Sequence, residues 1–333
     1  MRVGYPKVRR KVYYRRYTRI PTEFPHFWGH SMRIVLAGGT GFIGQAMLGA
    51  FRAQHALEVL TRSPEKAQAQ LPEGVQAIGW DGKTLGDWVQ RLDGADAVIN
   101  LVGESIAQRW TPAVKQRLWD SRVKTTELLV QAAQRVSTPP RIWLQASAIG
   151  IYDQSPDTTA DEDSPPASGF LADLGKAWEA AAQPVATLGT RLCYMRIGVV
   201  LGMESGALPQ MLTPFKLGVG GPIGSGKQWL SWIHLDDVVG AAGFLLSRDD
   251  LSGAFNFTAP YPATMQEFAK TLGRVLMRPA IVRAPAFAVR LILGEMAEFV
   301  LQGSRVLPKR LQEAGYAFRF PTLEGALRDL LDK

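Results

Sequence analysis

Apolar and polar positions along residues 32–202 fall into repeating blocks. Short apolar runs, each closed by glycine or polar residues, take turns with longer stretches whose apolar positions recur at helical spacing. Ile34-Val35-Leu36-Ala37, Leu57 to Leu60, Ala77 to Asp81, Ala95 to Leu101, Ile142 to Ala146 and Tyr194 to Leu201 read as strands. Gln45 to Arg52, Pro112 to Arg135 and Gly169 to Leu188 read as helices, the second as one long helix entered through Thr111-Pro112. This alternation predicts an α/β fold, a parallel sheet with helices on both faces. Beyond Gly202 the pattern changes. Gly-rich residues 218–226 precede Trp229 to His234, a helix capped by Asp236 or Asp237, a strand at Ala254 to Thr258, and helices at Thr264 to Met277, Phe287 to Leu301 and Leu323 to Leu331. Residues 203–333 therefore read as a smaller, mainly substrate-binding α/β lid, with 231–250 packing back on the domain formed by 32–202.

The first strand runs directly into Gly38-Gly39-Thr40-Gly41-Phe42-Ile43-Gly44 and then into a helix. Strand, glycine-rich turn and helix start, in that order, open the first βα unit of a Rossmann-type, doubly wound dinucleotide-binding sheet. Gly38 makes the tight turn, Gly41 lets backbone N–H groups approach a pyrophosphate, and Gly44 lets helix and strand pack closely. Thr40, Phe42 and Ile43 supply adjoining backbone, and the helix start offers unpaired N–H groups to the anion.

The second strand ends in Thr61-Arg62-Ser63, where an adenosine ribose would lie. An acidic side chain there accepts from a ribose 2′-OH, whereas arginine pairs with a 2′-phosphate, so Arg62 points to NADP rather than NAD. The bland alternative for Arg62 is a solvated loop charge. Asp81 is placed at the adenine edge, and Leu101, Val102 and Gly103 at the ribose side. Arg122, on the helical stretch after the fourth strand, joins the cofactor set, with a surface charge as its alternative.

Length and composition bound the answer without deciding it. The chain has 333 residues, 46% of them apolar, enough for one large domain or two modest ones. The single cysteine, Cys193, lies in an apolar run and has no disulfide partner in the chain, which suggests a reducing compartment, the cytoplasm. The formal charge of +8 is concentrated at one end: of 38 basic and 30 acidic residues, eight and one fall within 1–31. The body is nearly neutral and carries no nucleic-acid signature. The basic, aromatic-rich stretch 1–31 reads as an extension outside the fold, disordered or preceding a start at Met32; its composition also suits nucleic acid or an anionic membrane surface. No uninterrupted apolar run reaches spanning length. The partner expected is a small molecule, and the chain a monomer or homodimer.

Two patterns mimic other chemistry. Gly221 to Lys227 satisfies GxxxxGK, but Gln228 replaces the Ser or Thr that would hold Mg²⁺ and a Trp-rich strand follows. His234 with Asp236 and Asp237 suggests metal ligands, yet no ligand set at metal spacing appears, so no metal is expected.

Seven segments then resemble, in order, the extended and atypical short-chain dehydrogenase/reductases described as NAD(P)-dependent epimerase/dehydratase-like oxidoreductases. They are GGTGFIG (38–44), AVINLVGE (97–104), SRVKTTELL (121–129), SAIGIY (147–152), RIGVVLG (196–202), GGPIGSGKQWLSWIHLDD (220–237) and LPKRLQEAGYAFRFPTLEGAL (307–327). The resemblance implies NADP binding and hydride chemistry on a carbonyl or hydroxyl of a small polar or nucleotide-linked substrate. In active relatives a Tyr, with a Lys four residues on, supplies the proton while a Ser or Thr orients the substrate oxygen. Aligned through Glu179, the Tyr position here is Leu171 and the Lys position Gly175, with Lys176 one residue off. Ser147 lies five residues before Tyr152 where the larger group has four, which would put Ala148 at the catalytic position unless a bulge at Gly150 restores Ser147. Ser147 and Tyr152 are the catalytic candidates; Tyr152 reads equally as a packed aromatic. Lys227 and His234 are candidates to reach the site from the lid, Lys227 toward a phosphate or carboxylate. The alternative reading is a catalytically silent NADP-binding redox sensor or regulatory protein.

Overall fold

The computed structural model describes residues 30–331. Nearly all of the basic extension therefore lies outside the described residues. The centre is a seven-stranded parallel sheet of β1 (Arg33–Ala37), β2 (Ala56–Thr61), β3 (Gln76–Gly79), β4 (Ala97–Asn100), β5 (Ile142–Ala148), β6 (Arg191–Ile197) and β7 (Gly253–Phe257), in spatial order β7-β6-β5-β4-β1-β2-β3. Chain order reverses between β1 and β4, which places a topological switch point over their carboxyl ends.

Successive residues of one strand serve opposite faces. Ile34 and Leu36 pack with Met47, Leu48 and Phe51 of α1 (Phe42–Phe51). Val35 and Ala37 pack with Leu128, Leu129 and Ala132, which belong to α3 (Val123–Ala133), the partner in sequence of α2 (Pro112–Asp120). Both faces are covered, so the strands are continuous apolar runs rather than alternating ones. Each large side chain buried there contributes about 1.5–3 kcal/mol of transfer free energy. On the α3 side α4 (Phe170–Ala182) packs along α3, and its Trp178 reaches through to the other core cluster.

Several expected elements are divided. The stretch 112–135 is two helices, because the break frees Ser121 Oγ to accept from Glu104 N–H at 3.0 Å and turns Arg122 under the β4 loop. The strand expected over 194–201 stops at Ile197, since Gly198 runs so close to the chain that a Cβ there would lie 2.4 Å from the Ser231 carbonyl. The stretch 169–188 becomes 3-10 helix after Ala182, and 287–301 breaks at Gly294, whose φ is 61°.

The carboxyl-terminal part divides differently from the expectation. Residues 253–257 do not belong to the lid; as β7 they pair parallel with β6 and form an edge of the main sheet. Within 231–250, the stretch expected to pack back on the first domain, the helix α6 (Leu235–Ser247) packs into the main core through Val238, Ala242 and Leu245. A separate cluster joins α5 (Ala207–Lys216), α7 (Met265–Leu276) and α10 (Leu323–Leu331), with Leu212, Phe268, Leu272 and Leu327 at its centre. Two further helices, α8 (Ala286–Leu293) and α9 (Met296–Leu301), run on either side of Gly294.

Candidate cofactor and active site

The glycine-rich turn sits at the switch point. Gly38 has φ +85°, and a Cβ on it would come within 2.8 Å of the Leu101 carbonyl carbon, so the turn and the end of β4 touch backbone to backbone. Gly44 is equally tight: a Cβ there would lie 2.5 Å from Gly38 O and 2.6 Å from Gly39 Cα. Gly41 differs. It is extended (φ −80°, ψ 177°) at the N-cap of α1, and the only atom near its missing Cβ is Gly38 O at 3.2 Å. Its open side therefore gives onto the helix start, where the amides of Phe42 and Ile43 have no intrahelical acceptor. A pyrophosphate fits such a cradle of orphan donors and positive helix end.

The wall opposite is rigid. Leu101 N–H donates to Ala37 O at 2.8 Å, and Val102 N–H donates to Asn100 Oδ1 at 3.1 Å. Asn100 is fully buried and donates in turn to Thr126 Oγ1 and Gln145 Oε1, so a polar interior network holds the loop. Arg122 lies beneath Gly103, its Cζ 3.0 Å from where a Cβ would be, and donates to the carbonyls of Glu104 and Leu118. It is not the surface charge it resembles in sequence: burial pushes its guanidinium down to about 10. Phe42 packs its ring on Gly202 across the sheet end.

At the end of β2, Thr61 Oγ1 accepts from Ser63 N–H at 3.3 Å and shapes the turn. Arg62 is exposed, with no ion-pair partner among the described residues. Asp81 is occupied in its own turn: Lys83 N–H, Thr84 N–H and the Thr84 hydroxyl all donate to it, at 2.7–2.8 Å. Those bonds, the Thr84 amide foremost, hold its carboxyl at about 2.

The proton-transfer candidates fare otherwise. Ser147 is buried and donates to Glu179 Oε1 at 2.7 Å. The β5 ladder pairs regularly with β6 through Ala148, so no bulge moves Ser147 outward; half-exposed Ala148 ends the strand. Tyr152 is also interior: its hydroxyl donates to Asn256 Oδ1 at 2.8 Å and accepts from Arg196 Nη1 at 2.8 Å. Burial raises that phenol above its ordinary value, against the opposing pull of Arg196. Both catalytic candidates are thus interior, in a buried chain that runs Ser147, Glu179, Arg196, Tyr152, Asn256.

Leu171 and Gly175 stand where an acid and its lysine would, packed on the turn after β5. A Cβ on Gly175 would be 3.3 Å from Ile151 Cβ, and one on Gly150 3.4 Å from Leu171 Cβ. Lys176 points elsewhere, donating to Ala167 O and pairing with Asp173 at 2.8 Å. Leu171 belongs to an apolar cluster with Trp110, Phe170, Leu174, Met296 and Phe299.

From the lid, Lys227 is exposed on a turn closed by its own N–H to Ser225 Oγ. His234 is not at a surface. It caps α6, its Nδ1 accepting from Asp236 N–H at 3.0 Å and its ring lying against Phe320, which also corrects the expected Asp cap. Asp237 instead accepts from Arg319 and Phe320 N–H groups. Sequence reasoning missed Glu179, Arg196, Asn100 and Asn256 as a buried polar frame; the signal was a charged or amide residue inside an apolar run.

Among the described residues no helix is long and apolar enough to cross a membrane. The chain is 38% identical over 306 residues to an epimerase family protein, the chloroplastic SDR39U1 homolog of Arabidopsis thaliana, covering 90% of this chain and 87% of that one. It is 38% identical over 302 residues to the epimerase family protein YfhF of Bacillus subtilis, covering 90% and 98%. The crystal structure of human SDR39U1 isoform 2 with NADPH superposes with a TM-score of 0.81 at 36% identity, covering 91% of this chain and all of that one. Residues 284–330 match a domain of unknown function. Residues 34–257, from β1 to β7, match the NAD dependent epimerase/dehydratase family, and the chain belongs to that family.

Proposed function

We propose that this chain binds NADP(H) and acts as an epimerase-like oxidoreductase on a small polar or nucleotide-linked substrate, without the Tyr–Lys dyad of its larger group. The observation that carries the cofactor reading is the cradle at the switch point, where Gly41 leaves open the start of α1 while Gly38 and Gly44 are packed tight. NADP rather than NAD is supported by uncommitted Arg62 at the end of β2 and by the NADPH found with the human relative. Thr40, Phe42 and Ile43 supply the backbone, Thr61 and Arg62 meet the 2′-phosphate, Asp81 borders the adenine, and Leu101, Val102 and Gly103 line the ribose, with Arg122 fixing the last of these from below. Domain roles follow: 32–202 with the returning β7 and α6 hold the cofactor, and the remaining carboxyl-terminal segments face the substrate. Lys227 is the candidate for a substrate anion. A lone buried thiol fits a reducing compartment, the cytoplasm.

Bound NADP(H) supplies a hydride donor or acceptor. The chain's own part is to orient it and to exclude water, which the apolar cluster around Leu171 and Phe170 does. Proton exchange then falls to a group of the substrate itself, since Ser147, Tyr152 and His234 are each committed in the interior. That same commitment favours the second reading, a silent NADP-binding redox sensor.

Calorimetric titration with NADPH and NADH, followed by NADPH consumption over a panel of carbonyl substrates, separates the readings. Selective NADPH binding with turnover supports the oxidoreductase. Selective binding without turnover supports the sensor, and no binding overturns both.

A further inference from the structure

A strand at the rim of a sheet carries a row of backbone groups that no neighbouring strand uses. In the main sheet the rims are β7 and β3. On β7, Phe257 O accepts from Gly198 N–H on the inner side, so the groups of residues 252, 254 and 256 turn outward. These are not bare. Arg310 reaches the Ser252 and Ala254 carbonyls with its two terminal nitrogens, both at 2.7 Å, and Asn256 N–H donates to Glu162 Oε1 at 2.8 Å. The two capping residues are tied together, Arg310 N–H donating to Glu162 Oε2 at 3.3 Å, and the guanidinium lies 4.3 Å from the centroid of the Phe255 ring. A parallel neighbour would place one donor on the carbonyl before Phe255 and one acceptor on the N–H after it. Arg310 and Glu162 supply that pair. The opposite rim repeats the device with one side chain: around Gln76 of β3, Gln68 Nε2 donates to Val75 O at 2.9 Å and Gln68 Oε1 accepts from Ala77 N–H at 2.8 Å.

We propose that Arg310 and Glu162 stand in for an eighth strand and close the β7 rim of the sheet against pairing with other chains. The need for closure is in the sequence. Ala254-Phe255-Asn256-Phe257-Thr258-Ala259 holds two aromatic residues and no charge, proline or glycine, the composition of a segment that stacks into cross-β assemblies once its backbone is open. No charged or proline residue within the strand itself blunts that rim. Arg310 comes from the terminal stretch 284–330, whereas the sheet is built from 34–257. Sealing the rim therefore gives the terminal stretch a task of its own, apart from facing a substrate and independent of whether the chain turns over NADPH.

The test opens the rim without touching the strand, through Arg310→Met and, separately, Glu162→Ala in the full-length chain. Each protein is held at micromolar concentration, the same interval below its own unfolding temperature, while light scattering and thioflavin T fluorescence are followed. Wild type should stay clear, and both signals should grow about tenfold faster or more in either variant. Val275→Ala is the control: it weakens the carboxyl-terminal cluster, leaves the rim closed and should behave as wild type. Glu162 lies in a turn, so its variant remains informative if Arg310→Met fails to fold. Rim variants that fold and stay as clear as wild type overturn the proposal. So does a Val275→Ala chain that aggregates as fast as they do, which would trace the aggregation to lost stability instead of an open rim.

Discussion

Glu179 on α4 and Arg196 on β6 meet in a two-point ion pair, Nε to Oε1 and Nη2 to Oε2 both at 2.8 Å, with each side chain only 13% exposed. The pair is the hub of the buried polar chain: Oε1 also accepts from Ser147, and the third guanidinium nitrogen donates to Tyr152. It ties β5, α4, β6 and the turn after β5 together at the carboxyl end of the sheet, one helical turn beyond Gly175.

Glu179→Gln keeps the shape and one hydrogen-bond acceptor but leaves Arg196 as an uncompensated buried charge. Breaking one side of such a pair costs about 3–5 kcal/mol, and the retained acceptor puts this variant near the lower end. Urea unfolding should show the loss as a lowered midpoint with an unchanged slope. A variant within about 0.5 kcal/mol of wild type would mean that the pair is solvated in solution.

Tyr152→Phe separates structure from catalysis. Removing the hydroxyl leaves Arg196 Nη1 and Asn256 Oδ1 without their partner, a loss of about 1–3 kcal/mol, while NADPH affinity stays at the wild-type value. Alkaline unfolding gives a second readout. The phenol's folded value is raised above the ordinary 10.0 by burial. The unfolded chain therefore loses that proton first, and stability falls as pH rises past 10. In Tyr152→Phe that part of the alkaline slope disappears. Full stability with abolished turnover would return Tyr152 to the catalytic role.

How much of this was legible in the chain follows from what each signal depends on. The sheet up to β6 is local information, apolar runs bounded by glycine and proline, and so is the turn at Gly38 to Gly44. The break at Ser121-Arg122 is not: residues 112–135 are periodic throughout, and only the distant Glu104 amide and Gly103 explain why the helix stops. The placement of 253–257 in the main sheet depends on pairing with β6, some sixty residues earlier in the chain, which no local pattern encodes. Tyr152 and His234 are candidates through residue type and their place in the segments 147–152 and 220–237; burial, a tertiary property that no local segment encodes, removes them from the surface.

Arg62→Glu tests the 2′-phosphate assignment directly. A charge-assisted hydrogen bond is worth about 1.5–3 kcal/mol, so NADPH affinity should fall roughly 10- to 150-fold. NADH affinity should hold or rise, because the new carboxylate is able to accept from a ribose 2′-OH. Titration calorimetry on both cofactors reads the two numbers, and equal NADPH affinity in variant and wild type would remove Arg62 from the site.

Gly41→Ala and Gly44→Ala are expected to fail in opposite ways, because the two missing Cβ atoms point into different surroundings. At Gly44 the added methyl meets Gly38 O at 2.5 Å and Gly39 backbone at 2.6–2.8 Å, none of which moves without shifting the turn. Overpacking of that kind costs about 1–3 kcal/mol, so this variant loses folding stability and, with the turn displaced, affinity as well. At Gly41 the methyl meets only Gly38 O at 3.2 Å, and φ of −80° is ordinary for alanine. Thermal unfolding without cofactor should therefore be almost unchanged, while the methyl occupies the space through which the α1 amides reach the anion, and NADPH no longer raises the unfolding temperature. If Gly41→Ala binds NADPH as wild type does, the pyrophosphate lies elsewhere on the rim and the cradle described above is not its seat.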